Sequence, residues 1–212
     1  MYVTFDLYGT LVDWMYSIGG FIRTHVGETA DEFFTCEFTA IQGPFKPYRD
    51  VLKECLRKVM EGRSLTYDED LGDALVLSFA KSPPFPDTIN ALIKARKLGL
   101  RIGIISNTER RLVEITLSGI RHLVDSVVTA EDIGVYKPST EAFRKALNIL
   151  GVGVEDVIHV SAYLNYDIEP ASRLGIRTIY VNRYGKPGRG IEIGNLTELP
   201  RALSIMLSGY GR

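Results

Sequence analysis

Residues 2–12 read YVTFDLYGTLV, and this stretch decides the fold. Its first part, Tyr2–Phe5, is rich in strand formers and largely apolar, which predicts a β-strand buried on both faces of a parallel sheet. Asp6 follows at the end of that strand, and Gly9 supplies the backbone freedom for a tight turn. The carboxyl ends of parallel strands border the crevice where α/β folds bind ligands. Asp6 is therefore a candidate functional carboxylate, with a turn cap as its structural alternative.

Composition sets the class of protein. With 212 residues, 45% hydrophobic and 24% charged, the chain is expected to form one large or two small globular domains. The formal net charge of −1 gives no electrostatic basis for binding nucleic acid or a membrane surface. No apolar run approaches the ~20 residues that span a bilayer, and no basic, apolar leader precedes the first strand. We expect a cytoplasmic protein without nucleic-acid or membrane partners.

The two cysteines and one histidine are expected to be structural. Cys36 and Cys55 lie outside the stretches that carry chemistry, and we predict that both are free, buried thiols. A disulfide between them remains an alternative, although such bonds are rare in the cytosol. His159 lies in the apolar run Val157–Val160 and is predicted to pack in a strand, and no Cys/His spacing indicates zinc.

The hydrophobic pattern divides the chain at about residue 86. Residues 13–82 show apolar side chains at three- and four-residue spacings, which predicts helices, and three prolines at positions 83, 84 and 86 form a stiff boundary. Strand and helix patterns alternate from residue 87 onward, which predicts a parallel sheet. The strands expected after Tyr2–Phe5 are Leu100–Ile105, Ser126–Thr129, Val157–Val160 and Thr178–Val181, with Ile168–Leu174 as a helix and Gly185–Gly194 as a surface loop.

Four polar stretches end strands or begin the loops after them: Asp6, Ser106-Asn107, Lys137 and Ser161–Asp167. In a doubly wound sheet such positions converge on one edge. The Lys137 ammonium would keep Asp6 ionised and offset developing negative charge. The alternatives are ordinary: a helix cap at Asn107, an exposed loop lysine, and Asp167 as the cap of the helix at Ile168.

Four runs carry a resemblance to a known family. FDLYGTLVDW (residues 5–14), RIGIISN (101–107), GVYKPS (134–139) and HVSAYLNYDIEPASRLGI (159–176) resemble motifs of the haloacid dehalogenase (HAD) superfamily. Tyr8, two residues after Asp6, is typical of the 2-haloacid dehalogenase branch, whereas phosphatase branches usually carry a second Asp there. The resemblance covers nearly the whole chain.

The resemblance implies an α/β fold with two domains. A Rossmann-like, parallel-sheet core would contain residues 1–12 and 86–212, and a small helical cap would be inserted after the first strand as residues 13–85.

The resemblance also implies roles for individual residues. Asp6 would be the nucleophile of a covalent aspartyl ester, Ser106 would orient the nucleophile or substrate carboxylate, and Asn107 would help to bind the departing halide. The catalytic set is Asp6, Thr10, Ser106, Lys137 and Asp167, and the substrate-binding set is Tyr8, Trp14, Phe34, Asn107 and Ser161.

Several positions depart from the family patterns. The phosphatase acid expected after Ser161 is Ala162, which leaves Asp6 and Asp167 as the carboxylates for a magnesium ion. The cap arginine of the dehalogenases has no counterpart in Asp31–Gln42. Arg23, Lys46 or Arg49 could take the place of that arginine. The family has a tyrosine six residues after the lysine, where this chain has Phe143, and Asn165 is out of the usual register for the asparagine of the hydrolytic step.

The leading expectation is a 2-haloacid dehalogenase that hydrolyses a small anionic substrate without a cofactor, as a monomer or homodimer. Halide leaves without a proton, so the chemistry needs neither a metal nor a general acid. The first alternative is a Mg²⁺-dependent phosphatase of a small metabolite, and the second is a HAD-like binding protein that has lost catalysis.

Overall fold

The fold is organised around a six-stranded, all-parallel sheet in the order β3-β2-β1-β4-β5-β6. The computed structural model describes residues 1–28, 30–188 and 190–208. The strands are β1 Tyr2–Phe5, β2 Arg101–Ser106, β3 Ser126–Thr129, β4 Val157–Ser161, β5 Arg177–Val181 and β6 Ile191–Ile193. Phe5 pairs with Ile104 on one side and Val160 on the other, so Asp6 emerges at the centre of the carboxyl edge. The predicted α/β parallel sheet is confirmed.

Helices cover both faces of the sheet, as a buried parallel sheet requires. These helices are α5 Thr88–Lys97, α6 Arg110–Leu117, α7 Ala130–Ile133, α8 Thr140–Leu150, α9 Glu169–Arg173 and α10 Leu199–Ser208. Val3 and Phe5 share one apolar cluster with Leu92 of α5, whereas Tyr2 lies in a second cluster with Phe143 of α8. The alternation along β1 therefore fills both layers of the core.

Four helices lie between β1 and α5: α1 Trp14–His25, α2 Ala30–Ala40, α3 Tyr48–Glu61 and α4 Glu69–Ala80. Asp13 and Asp68 cap α1 and α4 by accepting hydrogen bonds from backbone amides. The helices bury their apolar stripes against one another because each has one apolar face. Among the described residues, no helix is long and apolar enough to cross a membrane.

The prediction of two free thiols is wrong. Cys36 of α2 and Cys55 of α3 form a disulfide, with their Cα atoms 5.6 Å apart. Helical spacing places Cys55 on the buried face of α3, toward α2, and a sequence pattern alone does not show that two thiols on different helices meet.

The segments after β5 and after β4 also differ from the prediction. The segment Gly185–Gly194 contains the edge strand β6, which pairs in parallel with β5, and its Arg189 lies outside the described residues. Three residues of β6 are too few for a clear alternating pattern. After β4, a π-helical turn spans Leu164–Ile168 and continues into α9, so helical structure begins before the predicted start at Ile168 although α9 itself begins at Glu169.

Candidate active site

A buried ammonium joins two carboxylates at the carboxyl edge of the sheet. Lys137 Nζ lies 2.9 Å from Asp6 Oδ1 and 2.6 Å from Asp167 Oδ1. All three side chains are buried. The expected convergence of strand ends therefore brings together residues 6, 137 and 167, and Asp167 is not a helix cap.

The second oxygen of Asp6 is held by the turn that follows β1. Thr10 Oγ1 donates to Asp6 Oδ2 at 2.8 Å and accepts from the Ala162 amide at 2.9 Å. Gly9 makes this turn with a φ of 87°, and a Cβ there would lie 2.1 Å from Tyr163 Oη. The Asp6 carboxylate is thus fixed from both sides.

Asp167 is oriented by a chain of hydrogen bonds from the sheet. His159 Nε2 lies 2.9 Å from Asp167 Oδ1, and Thr4 Oγ1 lies 2.9 Å from His159 Nδ1. Because an ionised carboxylate only accepts, His159 Nε2 carries a proton and donates it to Asp167. His159 is a packed strand residue, as predicted, with Phe143 edge-on against its ring.

Lys137 is positioned by Asn107 and by the end of β2. Asn107 Nδ2 donates to the Lys137 carbonyl at 2.8 Å, and its Oδ1 accepts from the Lys137 amide at 2.7 Å. The ammonium also donates to the Ile105 carbonyl at 3.0 Å. With two carboxylates and a carbonyl, all three of its donors have acceptors.

Burial and pairing set the charges. Burial raises the pKa of Asp6, and the nearby Lys137 ammonium offsets part of that rise. Burial acts the same way on Asp167, but Lys137 and the His159 hydrogen bond outweigh it and hold the Asp167 pKa below its ordinary value. Burial lowers the pKa of Lys137, yet the two carboxylates outweigh it and raise that pKa. Asp6 is therefore the more basic of the two carboxylates.

Asp6 opens into an inner cavity of about 60 Å³. Its polar lining includes the Ser106 hydroxyl, which is buried and has no hydrogen-bond partner among the described residues. A buried hydroxyl without a partner is available to a bound molecule. The same cavity is lined by Asp6, Tyr8, Trp14, Glu37, Ile41, Tyr48, Ser106, Asn107, Lys137, Tyr163, Tyr166 and Asp167.

Tyr8 occupies the position of the second phosphatase acid, but it is not placed as an acid. Its hydroxyl lies 2.6 Å from Thr116 Oγ1, and its ring stacks on Phe79 with centroids 4.0 Å apart. Burial raises the pKa of Tyr8 well above its usual range. The side chain therefore forms an apolar wall of the inner cavity and holds its proton.

An outer cavity of about 470 Å³ adjoins the inner one. Four residues line both: Trp14, Glu37, Tyr163 and Tyr166. Trp14 Nε1 donates to Tyr163 Oη at 2.9 Å, which ties α1 to the loop after β4. Phe34 lines only the outer cavity, as does the exposed Asn165.

Glu37 is a site residue that the sequence analysis missed. It lies on α2 with a relative exposure of 7%, and Tyr48 Oη donates to Glu37 Oε1 at 3.0 Å. Burial raises its pKa to about 7. The signal was present in the sequence, because Phe33 and Glu37 lie four residues apart and share the buried face of α2.

Other predicted residues lie away from the cavities. The Ser161 hydroxyl accepts from the Tyr163 amide at 3.0 Å, and Ser161 is absent from the described lining of either cavity. Arg49 pairs with Glu109 at 3.0 Å and Lys46 pairs with Glu54. Among the described residues that line either cavity, none is an arginine.

Asp6 and Asp167 are the two carboxylates of the inner cavity floor that could hold a magnesium ion. In the part of the chain that is described, no three His, Cys, Asp or Glu side chains form a group that could hold a metal. The Lys137 ammonium already bridges Asp6 and Asp167, and Ala162 contributes no side-chain oxygen.

Comparisons with known proteins agree with this geometry. A sequence profile of haloacid dehalogenase-like hydrolases matches residues 1–175. (S)-2-haloacid dehalogenase 4A from Burkholderia cepacia is 27% identical over 194 residues, covering 86% of this chain and 83% of that protein. The structure of L-2-haloacid dehalogenase from Xanthobacter autotrophicus is similar, with a TM-score of 0.85 and 20% identity, and the match covers 96% of this chain and 99% of that one.

A second group of relatives consists of archaeal phosphatases. Glyceraldehyde 3-phosphate phosphatase from Methanothermobacter thermautotrophicus is 36% identical over 108 residues, which is 50% of this chain and 48% of that protein. The chain thus spans about half the length of this relative. The profile match, the parallel sheet and the Asp6–Lys137–Asp167 cluster lead to one conclusion: the chain belongs to the haloacid dehalogenase-like hydrolases.

Proposed function

We propose that this hydrolase cleaves the carbon–halogen bond of a short 2-halo substrate, with the 2-haloalkanoic acids as the parent class. The observation that carries the proposal is the inner cavity itself. It presents a fixed, basic Asp6 carboxylate, and Tyr8, two residues further along the chain, holds its proton and bonds to Thr116 instead of serving as an acid for a leaving group. Halide needs no proton to leave, whereas an alkoxide leaving from phosphate usually does.

The first half-reaction is a displacement. Asp6 donates an electron pair to the carbon that bears the halogen, a C–O ester bond forms, and the C–halogen bond breaks with its electrons on the halide. Thr10 and Lys137 hold the carboxylate for attack. The Ser106 hydroxyl and the Asn107 amide are the nearby neutral donors that line the cavity.

The second half-reaction is ester hydrolysis. Water adds to the Asp6 carbonyl carbon, and the bond from that carbon to the ester oxygen breaks. That oxygen, which came from the Asp6 carboxylate, leaves with the product as an alkoxide and takes a proton that the water supplies. Asp6 returns to a carboxylate with release of one proton, so the sum is RX + H₂O → ROH + H⁺ + X⁻. Asp167 Oδ2 has no hydrogen-bond partner among the described residues and is the acceptor that would orient this water.

We also assign α1–α4, within residues 13–85, to a cap over the carboxyl edge of the core. The support is that Trp14, Phe34, Glu37 and Tyr48 from these helices line the cavities into which Asp6 opens. A cap of this kind excludes water from the reacting atoms and strengthens the electrostatic contacts around them.

A magnesium-dependent phosphatase is the second candidate, favoured by the 36% identity to the archaeal phosphatase over half of this chain. The test is an assay with 2-chloropropionate, 2-chloropropionamide and glyceraldehyde 3-phosphate, each with EDTA or with Mg²⁺. We expect chloride release that EDTA does not reduce and that Asp6→Asn abolishes. Phosphate release that requires Mg²⁺, with no chloride release, would overturn the proposal.

A further inference from the structure

The cap carries a carboxylate where a 2-haloacid would need a cation. Glu37 lines both cavities, and Trp14, Tyr163 and Tyr166 line both with it. It therefore lies at the junction that a substrate bound to Asp6 must cross to reach the outer cavity. Tyr48 Oη donates to Glu37 Oε1, so the carboxyl group is fixed in this position rather than free to swing to solvent.

The charges around the inner cavity disfavour an anionic ligand. The described lining residues include one basic side chain, Lys137, and three carboxyl groups, those of Asp6, Glu37 and Asp167. Two of them, Asp6 and Asp167, already accept hydrogen bonds from the Lys137 ammonium. A substrate carboxylate would enter the desolvated inner cavity without a free cation, because Lys186, which lines only the outer cavity, is exposed to solvent. Desolvation, and repulsion from Glu37 when it is ionised, would both cost binding free energy.

The basic side chains that could have replaced a cap arginine do not supply a cation to the inner cavity. Arg49 is held by Glu109 and Lys46 by Glu54. Neither these two nor Arg23 belongs to the described lining of either cavity.

We infer that Glu37 is a specificity residue that selects 2-halo substrates whose polar end is an uncharged hydrogen-bond donor, such as a carboxamide. A carboxamide N–H can donate to Glu37 in either protonation state of that side chain, whereas a substrate carboxylate can pair with Glu37 only when Glu37 is protonated. The inner cavity is small, so the reacting carbon would lie against Asp6 and the amide would point to the junction. This inference rests on the proposed function for its reaction and on Glu37 for its selectivity.

The kinetic test compares kcat/KM for 2-chloropropionamide and 2-chloropropionate in three proteins: wild type, Glu37→Gln and Glu32→Gln. Glu32 is the matched control, because it lies on the same helix with a side chain 61% exposed in an ion pair with Arg63. We expect Glu37→Gln to lower the amide-to-carboxylate ratio by about tenfold, and Glu32→Gln to leave it unchanged. Comparison between variants removes the intrinsic reactivity difference of the two chlorides.

A binding test is independent of turnover. Trp14 is the single tryptophan of the chain and lines both cavities, so its fluorescence reports occupancy. Wild type is titrated with propionamide and with propionate, which lack the halogen. We expect tighter binding of propionamide, and a preference that Glu37→Gln reduces while Glu32→Gln keeps it.

The outcomes separate the two ideas. Equal or tighter binding of propionate by wild type, or an unchanged ratio in Glu37→Gln, overturns the role of Glu37 even if chloride is released. Absence of chloride release from both substrates overturns the proposed reaction, and the propionamide titration then still decides the selectivity.

Discussion

Removal of the Glu37 charge should change the pH dependence of stability. The perturbation is Glu37→Gln, which keeps the size of the side chain and an oxygen that accepts from Tyr48. Burial raises the pKa of Glu37 from 4.5 to about 7. Between these values the folded protein holds a proton that the unfolded chain releases, so wild type loses stability as the pH rises.

The magnitude follows from the same pKa. Each pKa unit corresponds to about 1.36 kcal/mol, so ionisation of buried Glu37 costs wild type about 3 kcal/mol of unfolding free energy, an order-of-magnitude value. The contribution of the neutral carboxyl group is complete below about pH 4.5 and is lost as the pH passes 7. Burial raises the pKa values of Tyr48, Tyr136 and Tyr166, so these phenols do not titrate in this interval.

The assay is urea unfolding at pH 5 and at pH 8 for wild type, Glu37→Gln and the exposed control Glu32→Gln. Relative to wild type, Glu37→Gln should gain about 3 kcal/mol of unfolding free energy between the two pH values. Glu32→Gln should follow wild type. If Glu37→Gln and wild type change in parallel between pH 5 and pH 8, Glu37 is not a buried group with a raised pKa, and the reasoning fails.

Three further predictions concern the Cys36–Cys55 disulfide and the Asp6–Lys137–Asp167 cluster. Reduction of Cys36–Cys55, which are 19 residues apart, should lower the unfolding free energy by about 3 kcal/mol in urea melts with and without reductant, and an unchanged midpoint would contradict it. Lys137→Met should cost about 3–5 kcal/mol of stability, because it leaves two buried carboxylates without their cation, and a wild-type urea midpoint would argue against the buried cluster. Asn107→Ala should lower kcat more than it raises KM, because Asn107 holds the Lys137 backbone, and a change in KM alone would contradict that positioning role.

The central part of the fold could be predicted from local sequence. Tyr2–Phe5 forms a central strand because its residues are strand formers that fill both layers of the core, and the chain then places Asp6 at the carboxyl edge. Lys137 meets Asp6 because both follow from strand ends in one sheet. Such convergence depends on topology alone, and alternating strand and helix patterns reveal that topology.

The side of the site that α1–α4 form could not be predicted in the same way. Which helix face turns toward Asp6 depends on how α1–α4 pack, and the Cys36–Cys55 pairing depends on the same packing. Glu37 carried a periodic signal, but a charged residue on an apolar face is usually counted as solvent-exposed. Tyr163 was missed because it lies against Gly9 and Trp14, which are far from it in the sequence.

The central claim is that the Asp6 carboxylate itself attacks the substrate. The most direct test is a single turnover in H₂¹⁸O with enzyme in excess, using 2-chloropropionamide or 2-chloropropionate, whichever is turned over faster, followed by mass spectrometry of the product and of the Asp6 peptide. Attack by Asp6 and hydrolysis at its carbonyl predict ¹⁸O in the peptide and ¹⁶O in the product. Appearance of ¹⁸O in the product, with an unlabelled Asp6 peptide, would show direct attack by water and contradict the account.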